Sequence, residues 1–224
     1  MIRGYFFLSC ADSYSGCGYF LRLGALDSRL RGNDRKKNMI IAEHQQLDII
    51  IPADKESESI ELKRGAHGRI YIEDARKLRF EAVLSGEHAQ IEIMGTFAGN
   101  SNQEQDIIIR VVQDAPHTAC SVRFRCALEE SSSSKFDGLI RMTERAIDAN
   151  AWLSYRSLLL SKQSRAIPTP RLEVLTKHIA SATHEAAVGT IDQDQLFYLQ
   201  SRGLSHEEAK KIIVDGFLGG KILP

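Results

Sequence analysis

Between residues 39 and 127 apolar and polar residues alternate in short runs, and this pattern most narrows what the chain can fold into. Alternation sends every second side chain to one face of an extended segment. Residues 69–73 read Arg-Ile-Tyr-Ile-Glu, residues 79–84 and 89–94 alternate again, and residues 119–128 close the series. Residues 48–52 form a short apolar run, and 107–112 are rich in β-branched side chains. Gly65, Gly68, Gly86, Gly95 and Gly99, with Asn100 and Asn102, punctuate these runs as turns require. Short strands with no helix between them predict an all-β body, either a sandwich or a β-solenoid. No strict repeat period decides between the two.

After residue 130 the signals change. Residues 131–134 are all serine, followed by Lys135, and read as a polar turn. Residues 144–160 hold Ala146, Ala149, Ala151, Leu153 and Leu158 to Leu160, a helical composition by propensity. Ile167-Pro168-Thr169-Pro170 forbids a helix, since proline lacks an amide donor and forces its predecessor to extended geometry. The end of the chain reads as two helices. Residues 192–200 carry Leu196, Phe197 and Leu199, with Gly203 as a left-handed stop. Ser205 and Glu208 then form a capping box before Ala209, Ile212, Ile213 and Phe217 on one face. Such faces need a partner surface, either the β body itself or another chain.

Bulk properties exclude several classes of function. The 224 residues suffice for one cored domain, and 29 basic residues balance 29 acidic ones, so no global field marks a nucleic-acid binder. Four cysteines without a Cys-x-x-Cys pair suit a reducing cytoplasm. No Gly-x-x-x-x-Gly-Lys-Ser/Thr occurs, so this chain does not cradle ATP through a P-loop. His184-Glu185-Ala186-Ala187-Val188 begins like a zinc-protease motif but has Val188 where the second histidine belongs. Residues 1–38 differ from the rest. The apolar run Tyr5 to Leu8 is too short for a signal peptide, and residues 27–37 are dense in charge. That segment reads as a non-native or disordered extension ahead of a start at Met39.

Several ordered phrases carry a resemblance. They are Phe136-Asp137-Gly138-Leu139-Ile140, Leu158-Leu159-Leu160-Ser161, Pro170-Arg171-Leu172-Glu173-Val174, His184-Glu185-Ala186, and Ile191-Asp192 through Leu196-Phe197-Tyr198-Leu199 to Ser201-Arg202-Gly203-Leu204. Glu208-Ala209 and Gly216-Phe217 follow in step. In order and spacing this resembles the SufB/SufD family of the SUF iron–sulfur cluster assembly machinery, and the chain looks like a short SufD-like member. The resemblance implies a right-handed parallel β-helix core over residues 39–190, with residues 144–160 threaded through its coils. It also implies a C-terminal helical segment, residues 191–224, that docks a SufC-like ABC ATPase. The expected contact residues are Asp192, Gln195, Leu196, Phe197, Tyr198, Arg202, Gly203 and Leu204. Family members pair as SufB with SufD or like with like, so a SufB-like subunit or a second copy is the expected partner. The family role is that of a scaffold rather than an enzyme.

His184 is the expected cluster-site residue by the same resemblance, since a neutral imidazole can ligate iron. The competing reading is a polar interface residue without metal. Glu185 is a weaker candidate, and the two neighbours point to opposite faces of a strand. No cysteine follows Cys126, and Ala182 stands where a SufD-like member can carry one. Thiolate is the preferred ligand of iron–sulfur clusters. A transient cluster at a subunit interface therefore needs a partner's thiolate, and this chain alone holds none stably. Cys120 and Cys126 share an apolar strand face with Val122 and Phe124 and read as buried, unreactive thiols.

Overall fold

The computed structural model describes residues 19–22 and 39–219. The expectations for the remainder of 1–38 and for 220–224 lie outside the described residues. Within them the chain forms thirteen strands: β1 Tyr19–Arg22, β2 Met39–Ile41, β3 Gln46–Ile51, β4 Ser57–Leu62, β5 His67–Glu73, β6 Lys77–Leu84, β7 Gln90–Gly99, β8 Glu104–Gln113, β9 Ala119–Leu128, β10 Ser133–Met142, β11 Ala149–Leu159, β12 Arg165–Val174 and β13 Ile179–Thr190. Two helices follow, α1 Gln193–Ser201 and α2 His206–Leu218.

Odd-numbered strands form one parallel sheet in the order β1-β3-β5-β7-β9-β11-β13, and even-numbered strands form a second, β2 to β12. The chain thus passes from one sheet to the other at each turn and advances by one strand per coil. That is a β-solenoid, and it resolves the sandwich-or-solenoid alternative. The inward side chains stack in rows. Ile49, Ile70, Ile93, Val122 and Leu153 run across the larger sheet, and Ile60, Ala82, Val111, Ile140 and Leu172 across the smaller. Between them Phe124, Phe136 and Tyr155 stack with centroids 5.0 and 5.1 Å apart. All of these side chains except the half-buried Leu172 are at most 1% exposed, so the core is a continuous column rather than a compact ball.

One corner of the solenoid repeats in a way the sequence conceals. His44, Gly65, His88, His117 and Asp148 all have positive φ, and each donates its backbone N–H to a carbonyl of the next coil. Histidine and aspartate tolerate this left-handed geometry better than most side chains do. The coils between them lengthen along the chain, so the same corner never recurs at a fixed spacing. This is why no repeat period is visible.

Two readings of the sequence change. The serine run is not wholly a turn: Glu130 and Ser131 turn, and Ser133 already opens β10 with Ser134 buried. Ser134 is tolerated inside because it is bonded by Gln105 and Tyr155. The helical composition of residues 144–160 is overridden, as the resemblance implies. Ala149, Ala151, Leu153 and Tyr155 point inward from β11, and the pairing of β11 with β9 and β13 outweighs helix propensity.

Candidate functional site

The last coil carries the candidate site. β12 and β13 are the final strands of their sheets, so one side of this coil has no further strand beyond it. Register extends the inward rows onto it: Ala151 opposes Ala182, Leu153 opposes His184, Tyr155 opposes Ala186 and Ser157 opposes Val188. On the other sheet Phe136 opposes Pro168, Gly138 opposes Pro170 and Ile140 opposes Leu172. The core row thus ends in open space at an apolar rim of Ala182, Ala186, Val188, Pro168 and Leu172. His184 stands among them, on the core-facing side and exposed. It makes no hydrogen bond or ion pair among the described residues.

The two open strands differ at their free edges. A proline inside a paired strand must turn its missing donor away from the ladder. Pro168 and Pro170 therefore remove donors from the outer edge of β12, whereas β13 contains no proline and keeps a full set. The edge of β13 is the one able to accept a further strand.

Glu185 lies on the opposite side of β13 from His184, on the outer face of the sheet. Ser154 Oγ donates to it at 2.7 Å, and Arg156 Nη2 and Nε donate at 2.9 and 3.1 Å. The Ser154 hydrogen bond, helped by the Arg156 guanidinium, holds its carboxyl below the usual carboxylate range. The structure does not bring His184 and Glu185 together. Nor does it bring a thiol to the rim. Cys126 and Cys120 are buried in β9, and burial pushes the Cys126 thiol up to about 11 and the Cys120 thiol further. No group of three or more His, Cys, Asp or Glu able to hold a metal occurs among the described residues.

The helices dock on the outer face of the larger sheet. Asp192 caps α1, accepting from the Asp194 N–H at 2.9 Å, and Ser205 with Glu208 completes the capping box of α2. Hydrogen bonds from Ser205 hold the Glu208 carboxyl low. Arg125 Nη1 donates to the Phe217 carbonyl at 2.9 Å, setting a cation at the negative end of α2, and Lys210 pairs with Glu129. Sequence reasoning missed these anchors, since their partners are eighty or more positions apart.

The expected partner-contact set divides. Leu196 is 5% exposed and faces the solenoid beside Leu159, Leu160 and Ile191, so it belongs to the body rather than to a partner surface. A helix face is assigned only once the surface beneath it is known. Phe197 is 72% and Tyr198 57% exposed, and the Arg202 guanidinium lies 5.3 Å from the Tyr198 ring. Gln195 and Asp192 are exposed beside Ile212 at the mouth of a recess of about 400 Å³. Gly203, at φ +93, turns the chain between the helices, and Leu204 is half-buried behind it. No helix among the described residues is long and apolar enough to cross a membrane.

Comparison with known proteins agrees with this architecture. Residues 72–217 match the family model described as SUF system FeS cluster assembly, SufBD core domain. An iron–sulfur cluster assembly SufBD family protein of Staphylococcus saprophyticus is 31% identical over 136 residues, 61% of this chain and 29% of that protein. The iron–sulfur cluster assembly protein SufB of Bacillus subtilis is 29% identical over the same shares. A SufBD family protein of Mycobacterium bovis is 28% identical over 142 residues, 63% of this chain and 17% of that protein. The matches thus span less than a third of these relatives' length. With the family model covering more than half of the chain, and with the parallel solenoid and C-terminal helices in place, the chain belongs to the SufB/SufD core-domain family of the SUF iron–sulfur cluster assembly system.

Proposed function

We propose that this chain is a non-enzymatic, SufD-like subunit of a cytoplasmic SUF assembly complex. Its open solenoid end pairs with a SufB-like subunit, or with a second copy where none is present. Its exposed α1–α2 face docks a SufC-like ABC ATPase. The nascent cluster is cargo held transiently at the pairing interface, where His184 offers an imidazole nitrogen and the partner supplies thiolate.

The observation that carries this reading is the placement of His184. It is the one titratable side chain on the core-facing rows of the last coil, at an apolar rim beside a donor-complete strand edge. An added subunit would enclose it. The second reading, a solenoid that joins proteins without cluster chemistry, is favoured by the lack of a thiol at that rim.

Co-purification tests the partnership. The chain is expressed with a SufC-like ATPase and a SufB-like subunit, and the complex is sized. Val188→Asp, at a 47% exposed rim position, is expected to weaken pairing by more than about tenfold, since it leaves a charge unpaired in the interface. Phe197→Ala is expected to release the ATPase alone. Failure of the unaltered chain to bind either protein would sink the reading.

A further inference from the structure

The outer face of the larger sheet carries a trough that the proposed function leaves unused. Along β9 the outward side chains Ala119 and Ser121 are small. In register beside them, Gln90 and Glu92 of β7 form one wall, and Asn150 and Trp152 of β11 form the other. The groove between them holds about 410 Å³, within the roughly 300–1,000 Å³ typical of small-molecule sites. Arg123, the next outward residue of β9, closes one end.

The state of Arg123 is the informative part. It is half-buried, its guanidinium carbon lies 5.3 Å from the Trp152 ring centre, and its Nε is buried without a hydrogen-bond partner. Its side chain makes no hydrogen bond or ion pair among the described residues. The other guanidinium groups on this face are committed: Arg69 to Asp48 at 2.8 Å, Arg156 to Glu185 at 2.9 Å and Arg125 to the Phe217 carbonyl at 2.9 Å. A guanidinium partly withdrawn from water without an acceptor is unfavourable, and its fork of donors matches a carboxylate or a phosphate.

We propose that this trough binds a small organic anion bearing a flat ring. Arg123 takes the carboxylate or phosphate by charge-assisted hydrogen bonds. The ring lies on the exposed part of Trp152, which is 37% accessible. Ser121, Asn150 and Thr183 offer hydroxyl and amide groups along the floor and far wall. Glu92, whose carboxylate sits 3.4 Å from His67 Nε2, repels the anionic group from the opposite wall and so sets the ligand's direction.

Trp152 is the only tryptophan in the chain, so its emission and its indole N–H resonance report on this trough alone. The purified chain is titrated with phenyl phosphate and with benzoate, beside inorganic phosphate and benzyl alcohol as controls. Both ring anions are expected to shift the Trp152 signals saturably, and each control to bind at least about tenfold more weakly. Arg123→Gln is expected to weaken the ring anions by at least about tenfold with an unchanged melting temperature, and Arg123→Lys by less. Should Arg123→Gln fail to fold, Ser121→Phe, which fills the trough and leaves the arginine, is expected to abolish the shift. An equal response to inorganic phosphate or to benzyl alcohol overturns the proposal, as does the absence of any saturable shift.

Discussion

Gly95 faces Phe124 across β7 and β9, and a Cβ placed on it would lie 2.1 Å from the ring. Because Phe124 is fully buried in the aromatic stack, Gly95→Ala is expected to destabilise the fold by about 1–3 kcal/mol through overpacking. Thermal or denaturant unfolding reads this, and an unchanged midpoint would mean that the ring does not sit there. Cys120 and Cys126 are expected to resist alkylation at neutral pH in the folded chain and to react on denaturation, as mass spectrometry of labelled peptides would record. Their burial was legible from alternation alone. Asp137 gives a pH prediction. Burial opposes its charge, but Arg110 and Arg171, each at 2.6 Å, outweigh that and hold its carboxyl low. A lowered folded pKa contributes stability above the unfolded value of about 4, and that contribution is lost as pH falls through the folded value. The wild type is therefore expected to exceed Asp137→Asn in stability at pH 7, with the gap closing on acidification; a gap that persists at low pH would contradict the ion-pair account. What the sequence hid at this scale is pairing between distant residues, such as Arg125 with the Phe217 carbonyl.

Elements were legible where the period was clean. β5, β6 and β9 follow from alternation, and the two helices from their caps. β11 was not, because its alanines and leucines suit either state, and only the neighbouring strands decide. The inward register of β13 was equally hidden, since its many small residues carry little alternation. The second helix offers a test at this scale. Ser205→Ala removes the hydroxyl that accepts from the Glu208 N–H and is expected to cost about 1 kcal/mol. Hydrogen exchange should quicken across α2 while the strands stay protected. Uniform quickening through β9 would mean that helix and solenoid unfold together.

At the scale of the whole molecule the fold is a column with an unfinished end. Each coil rests on its neighbours, so the last one has an apolar rim and a free strand edge that water covers poorly. Family resemblance pointed to His184, but only the register with Leu153 reveals that its strand turns it toward this end and turns Glu185 away. On the proposed function the rim is where a second subunit adds, and His184 is what the rim offers to the cargo. The most direct measurement is the cluster content of the complex after reconstitution with iron and sulfide, read by absorbance and by iron and sulfide analysis. His184→Ala is compared with wild type in complexes of equal size. The variant is expected to assemble normally and to retain several-fold less cluster; equal cluster content in an intact complex would remove His184 from cluster binding.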